Sequence, residues 1–325
     1  MKVLITGGAG FIGSHLAEKY LERGDDVYII DDLSTGTLEN VKHLQENENH
    51  KDRLFVTIDS ILNNKVMLEL VKTCDIVLHM AAAVGVQYII ENPLSSIITN
   101  IKGTEDVLAL CNRFKKKVLI ASTSEVYGKH THAPLVETDN IIYGPSTKFR
   151  WSYAAAKLMD EFTALAYHRT KKLSVIIIRL FNTIGSRQTG RYGMVIPRFV
   201  QQALRSEDIT VYGDGSQTRT FTYVGDVVDA ITKLMVCTDA VGEVVNIGGA
   251  EEIAIKDLAE RVKKLACSAS EIKLIPYDEA FTKDFEEMQR RVPSIEKISK
   301  FIDWKPETGL DDAINKVIEF YRVYE

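Results

Sequence analysis

The chain has 325 residues, 45% hydrophobic and 26% charged, with 40 basic against 45 acidic side chains and a formal charge of −5. This is ordinary globular composition for one large α/β domain or two coupled lobes, and the absence of a basic tract removes the electrostatic footprint of a nucleic-acid binder. The longest strictly apolar stretches, such as Met80–Val84 and Val175–Ile178, fall far below the ~18 residues of a membrane span, and the apolar run after Met1 stops at glycines, unlike a signal peptide.

Six β-branched runs alternate with helical stretches over the first 180 residues. Strands are predicted at Val3–Thr6, Asp26–Asp31, Leu54–Ile58, Ile76–His79, Lys117–Ser122 and Ser174–Arg179, with helices near 12–23, 65–73, 100–114 and 151–170. Fully apolar strands alternating with helices imply a parallel sheet covered on both faces, hence a doubly wound Rossmann sheet. After Arg179 glycines cluster and segments shorten, which predicts a smaller C-terminal substrate-binding lobe over 181–325, partly interleaved with a dinucleotide-binding domain over 1–180. Leu310, Ala313, Ile314, Val317 and Tyr321 recur at helical spacing, so the chain is expected to end in a helix over Leu310–Tyr324.

Four cysteines, Cys74, Cys111, Cys237 and Cys267, lie far apart without a C-x-x-C pair, and the seven histidines show no metal-ligand spacing. They predict reduced, mostly buried thiols in a cytoplasmic protein without a metal site.

Gly7-Gly8-Ala9-Gly10-Phe11-Ile12-Gly13 follows the first strand and opens the first helix. Gly7, Gly10 and Gly13 permit a tight turn, close approach of a pyrophosphate and tight helix packing, while the helix N-terminus supplies N–H donors. Alone, the triplet is equally a flexible turn. Its context is more telling: the second strand ends at Asp31, where a carboxylate grips ribose hydroxyls, and no Arg or Lys lies between Asp31 and Lys42 to receive a 2′-phosphate. NAD is therefore favoured over NADP. Asp59, after the third strand, is either an adenine contact or a surface carboxylate.

Ser122-Thr123-Ser124-Glu125 ends the fifth strand at the edge where such sheets bind ligands. Further on, Tyr153 and Lys157 lie one helical turn apart on a shared face. A nearby ammonium, with a cationic nicotinamide, is expected to lower the phenol pKa and make Tyr153 a general base at a sugar hydroxyl. A core Tyr beside a solvated Lys would show the same spacing, but not the glycine loop and Thr-Ser-Glu upstream.

These motifs resemble the extended short-chain dehydrogenases/reductases, specifically the nucleotide-sugar epimerases, dehydratases and decarboxylases, along essentially the whole chain. The resemblance includes His79-Met80-Ala81-Ala82, Arg179-Leu180-Phe181-Asn182-Thr183, the run Val211–Arg219 and Tyr223-Val224-Gly225-Asp226-Val227. It implies cofactor contacts at Gly7, Gly10, Phe11, Ile12, Gly13, Asp31, Ala81, Tyr153 and Lys157. It also implies sugar-nucleotide contacts at Asn182 and Arg219, with Arg187 and Arg191 as weaker candidates.

The strand-end triplet separates the branches. Dehydratases carry Thr-Asp-Glu and hexose 4-epimerases Ser-Ala-Thr or similar, whereas Thr123-Ser124-Glu125 resembles the UDP-glucuronate decarboxylases. Gly144–Tyr153 and Arg290-Arg291-Val292-Pro293-Ser294 are similar to the decarboxylase domain of the bacterial lipid A–modifying enzyme, which implies a catalytic role for Arg291. The resemblance thus implies C4 oxidation by Tyr153 and NAD, loss of CO₂ from the β-keto acid, and return of hydride to give UDP-xylose or its 4-keto precursor. Thr123 and Ser124 would bind the C4 oxygen, and Glu125 and Arg291 would govern the carboxylate and protonation at C5. A UDP-sugar 4-epimerase is the alternative, and an NAD-binding sensor without chemistry a distant one. The predicted helices 100–114 and 151–170 resemble a homodimer interface of the family.

Overall fold

The computed structural model describes residues 1–190, 194–280, 286 and 288–324. Its centre is a seven-stranded sheet. Six of the strands are β1 (Lys2–Thr6), β2 (Asp26–Asp31), β3 (Leu54–Ile58), β4 (Ile76–His79), β5 (Lys117–Thr123) and β6 (Val175–Leu180). The seventh, Val244–Ile247, comes from the C-terminal half and pairs in parallel with β6. The order is Val244–Ile247, β6, β5, β4, β1, β2, β3. All pairings are parallel, so the carboxyl ends of every strand share one edge. The winding direction reverses between β1 and β4, and at that reversal a crevice opens for a ligand.

The helices in the first half are α1 (Phe11–Glu22), α2 (Glu39–Glu46), α3 (Asn64–Thr73), α4 (Val86–Glu91), α5 (Pro93–Phe114) and α6 (Arg150–Lys171). On one sheet face, Leu16 and Leu21 of α1 pack with Ile5, Ile29 and Ile178 of the strands. On the other, Met67 of α3, Val107 and Leu108 of α5 and Ala164 of α6 cover Ile120 and Ile177. Both faces are dry, and the strands accordingly carry unbroken apolar runs.

Two helices are absent from the sequence expectations, and the start of a third is corrected. α2 went unpredicted because only Val41 and Leu44 of its eight residues are buried. α4 is a six-residue helix in an apolar run, too short for a readable period. α5 begins at Pro93 rather than near 100, with proline at its start, where the missing N–H costs no hydrogen bond.

A separate core in the C-terminal half joins Phe199, Val200, Leu258 and Val262 to Ile314 and Val317 of the final helix, Leu310–Tyr324. The helix Val224–Val236 instead packs Val228 and Leu234 onto the sheet core. A small sheet places Thr218–Thr220 between Glu252–Ala254 and Arg290–Arg291, the last pair running parallel to it. Beyond it, Leu135 bridges Pro293. Through this pairing the C-terminal half delivers Arg291 to the carboxyl edge of the large sheet.

Candidate active site

A cavity of about 960 Å³ lies over that edge, lined by Gly10, Asp31, Ala81, Thr123 and Tyr153 from the first half and by Arg198, Tyr212, Arg219 and Arg291 from the second.

At one end the glycine loop forms a cradle. Gly7 has φ +68°, and a Cβ there would press on the Ala81 backbone at 2.9 Å. A Cβ at Gly13 would collide with the Gly7 carbonyl oxygen. Only glycine lets β1, α1 and the β4 turn converge so closely. The N-cap of α1, Gly10, brings no side chain to the open N–H groups, which stay available to an anion. Asp31 accepts hydrogen bonds from Ala9 N at 3.0 Å and Leu33 N at 2.9 Å, so its carboxylate is locked at the tip of β2. Burial pushes its pKa up, against the pull of those N–H donors. Phe11, Ile12 and Asp59 line the same region; Asp59 also accepts from Ser60 N at 2.7 Å and Asn63 Nδ2 at 2.8 Å, bracing the turn into α3. This bare-backbone cradle with a carboxylate one strand over has the donor set of a dinucleotide site.

The other predicted residues gather around the end of β5. Thr123 accepts from Glu125 N at 3.2 Å and hydrogen-bonds the Tyr153 phenol. Arg291 donates to Ser124 Oγ at 3.4 Å and lies 3.6 Å from the Glu125 carboxylate. A second guanidinium, Arg150, makes a close ion pair with the other Glu125 oxygen. Burial alone would raise the Glu125 pKa; Arg150 and Arg291 outweigh it and hold the carboxyl below its ordinary range.

Lys157 is not placed as the sequence suggests, its ammonium being matched by a carboxylate on its own helix. Lys157 is 1% exposed, does not line the cavity, and pairs with Asp160 at 2.9 Å. The Tyr153 pKa is raised, first by burial and then by the negative charges of Glu125 and Asp160, against the opposing Thr123 hydrogen bond and Arg150 charge. Asp160 itself is pushed up by burial, a shift that Lys157 and Thr104 partly offset. Next to it, His79 lies between Thr6 at 2.8 Å and Thr104 at 3.1 Å, its pKa pushed down to about 3 by burial.

Among the expected substrate contacts, Asn182 faces the cavity while its Nδ2 donates to Thr220 O at 2.8 Å. Arg219 is held by Thr218 O at 2.7 Å and Gln289 O at 3.3 Å. Arg187 sits at the rim, where Glu18 of α1 at 2.6 Å and His43 of α2 at 3.1 Å hold its guanidinium. It is thus anchored to the α1 side rather than loose in a basic loop. Arg191 lies outside the described residues. The thiols are free, but only Cys74 and Cys111 are buried; Cys237 is half-buried and Cys267 exposed, which corrects the expectation of mostly buried cysteines.

Sequence reading missed Arg150, Asp160 and Glu161. All three lie at helical spacing from Tyr153 or Lys157, a signal that was legible. Glu161 is gripped by Arg179 through two hydrogen bonds, 3.0 and 2.8 Å, and accepts from Ser122 at 2.5 Å, directly beneath the Thr-Ser-Glu turn.

Glycine cradle, strand-end triplet and Tyr–Lys helix in one cavity define a dinucleotide-binding α/β enzyme of the extended short-chain dehydrogenase/reductase type. Within that class the chain belongs to the GDP-mannose 4,6 dehydratase family, whose profile matches residues 4–317. A UDP-N-acetyl-alpha-D-glucosaminuronate decarboxylase of Bacillus cytotoxicus is 40% identical over 325 residues, covering 100% of this chain and 98% of the relative. UDP-glucuronic acid decarboxylase 1 of Danio rerio is 35% identical over 327 residues, 98% of this chain and 72% of that protein. A UDP-glucuronic acid 4-epimerase from Bacillus cereus, solved with UDP-glucuronic acid and NAD, superposes with a TM-score of 0.89 at 28% identity over 100% of both chains.

Proposed function

We propose that the protein is an NAD-dependent decarboxylase of a UDP-linked hexuronate, converting UDP-glucuronate to UDP-xylose or its 4-keto precursor. One observation carries this reading: Glu125 and Arg291 meet beside Ser124, next to the Thr123–Tyr153 hydrogen bond. This places a carboxylate-handling pair beside the group that would deprotonate a sugar hydroxyl.

The Gly7–Gly13 cradle and Asp31 would hold NAD, which when bound would supply the hydride acceptor and donor for the chemistry at C4. The chain's own residues do the rest. Tyr153 takes the C4 hydroxyl proton and later gives it back, with Thr123 aligning the two oxygens. The 4-ketone lies β to the carboxylate, so the C5–C6 bonding pair can enter an enolate as CO₂ leaves. Thr123 and Ser124 stabilise the charge developing on the C4 oxygen. Arg291 orients the departing carboxylate, and with Glu125 it controls the proton that C5 takes up. Asn182, Arg187 and Arg219 bind the nucleotide diphosphate side, with Arg191 as a further candidate.

The test is incubation with NAD⁺ and UDP-glucuronate and, separately, UDP-N-acetylglucosaminuronate, followed by mass spectrometry of the sugar nucleotide. The two named decarboxylase relatives differ at the sugar's 2-substituent, so both substrates belong in the assay. Loss of one CO₂ from either supports the reading. A 4-epimerase, favoured by the full-length superposition on the Bacillus cereus enzyme, would give a new isomer of unchanged mass.

Homodimerisation belongs to the same proposal. α5 and α6 pack side by side and leave Leu94, Ile98, Met159 and Phe162 exposed, an apolar set suited to a second copy. Light scattering at twice 36.5 kDa, falling to the single mass in Phe162→Lys, is the expected result. Four free thiols fit a reducing, cytoplasmic setting.

A further inference from the structure

Arg291 and Glu125 reach each other from opposite halves of the chain, and their own contact is too slight to set that geometry. What joins the two segments behind the site is Asn246, on the strand Val244–Ile247. It is fully buried, and every polar group of its side chain is used. Its Oδ1 accepts from the Tyr127 phenol at 2.7 Å. Tyr127 closes the short 3₁₀ turn Ser124–Tyr127, which also carries Glu125. Its Nδ2 donates to Leu135 O at 3.1 Å and to Ser294 O at 3.4 Å. Leu135 N in turn donates to Val292 O, and Ser294 N to Leu135 O, both at 2.8 Å, so the segment that follows Arg291 is stitched to the same point. The Asn246 backbone N–H, donating to Glu137 Oε1 at 2.8 Å, ties the loop down once more.

We propose that Asn246 is a positioning residue for the decarboxylation step: its carboxamide clamps the Arg291-bearing strand against the Glu125-bearing turn. The chemical consequence of this clamp rests on the hexuronate decarboxylase reading; the clamp itself does not. An amide is the side chain that can do this, because it accepts on one side and donates twice on the other. Tyr153 and Lys157 stand on α6, outside the clamp, so loosening it leaves C4 oxidation in place and misplaces the groups that act on the carboxylate.

The substitution Asn246→Asp keeps the shape and turns both donations into repulsion between oxygens; Tyr127→Phe removes the phenol donor, together with the phenol's hydrogen bond to Arg179, and is the milder variant should the first fold poorly. Hydrogen exchange of the substrate-free protein, read by mass spectrometry, is expected to speed up at least about ten-fold in peptides covering 130–136 and 290–295, while β1, β4 and β5 exchange as before. In the turnover assay CO₂ release should fall about a hundred-fold in kcat with KM little changed, and the 4-keto hexuronate should build up. Unchanged exchange in those two segments, or faster exchange spread evenly over the large sheet, overturns the proposal. So does parallel loss of ketone formation and CO₂ release. Wild-type protein that releases no CO₂ from either uronate refutes the decarboxylase reading; the exchange experiment then still decides whether Asn246 is the clamp.

Discussion

Arg291 lies 3.6 Å from Glu125, delivered there by the parallel pairing of Arg290–Arg291 with Thr218–Arg219. Its guanidinium also donates to Ser124 Oγ, so a single side chain touches two of the three strand-end residues. Arg291→Met is expected to lower CO₂ release by about 10²–10³-fold, the usual loss for one charge-stabilising donor. Reduction of NAD⁺ on mixing with the uronate should survive, because Tyr153 is untouched. Stopped-flow absorbance of the nicotinamide alongside CO₂ release separates the two steps.

Glu125 sits between two guanidiniums, Arg150 and Arg291, both buried. Its folded pKa is below the ordinary 4.5, so it contributes stability that is complete above that value and is lost as pH falls through the folded value. Glu125→Gln leaves two buried cations short of a partner, and about 3–5 kcal/mol of stability should go with it at neutral pH. The gap between wild type and variant should narrow as pH falls below the ordinary 4.5 in urea titrations.

The Lys157–Asp160 pair bears on the pH dependence of turnover. Asp160 is among the charges that raise the Tyr153 pKa, and Asp160→Asn removes it while Lys157 stays in place. The acid limb of kcat/KM should move to lower pH by about one unit, and Asp160→Glu should keep the wild-type profile. A variant that loses rate equally at every pH would show a packing role only.

Glu161 holds Arg179 in a bidentate pair and takes the Ser122 hydroxyl, with all three side chains buried. Glu161→Ala strands the guanidinium in the interior. Stability should drop by about 3–5 kcal/mol, read as a lower urea midpoint with an unchanged slope.

Much of this was legible in the chain itself. Short β-branched apolar runs alternating with helical stretches place all six strands of the first half, and the glycine spacing with Asp31 locates the dinucleotide end, because these features depend on residues close in sequence. Thr123, Ser124, Glu125 and Tyr153 were likewise readable, since each sits at a strand end or on a helix face that local pattern defines. Arg150, Asp160 and Glu161 lay within that reach at helical spacing and were overlooked.

What the amino-acid order determines by itself is therefore the parallel sheet, its carboxyl edge and the donor types that line it. Tertiary structure alone decides which charges meet there. Glu125 is shared by Arg150 and Arg291, and Asn246 clasps segments from both halves. Electrostatic and hydrogen-bond energies depend on distance and burial in space. Sequence separation encodes neither once a chain has folded back on itself.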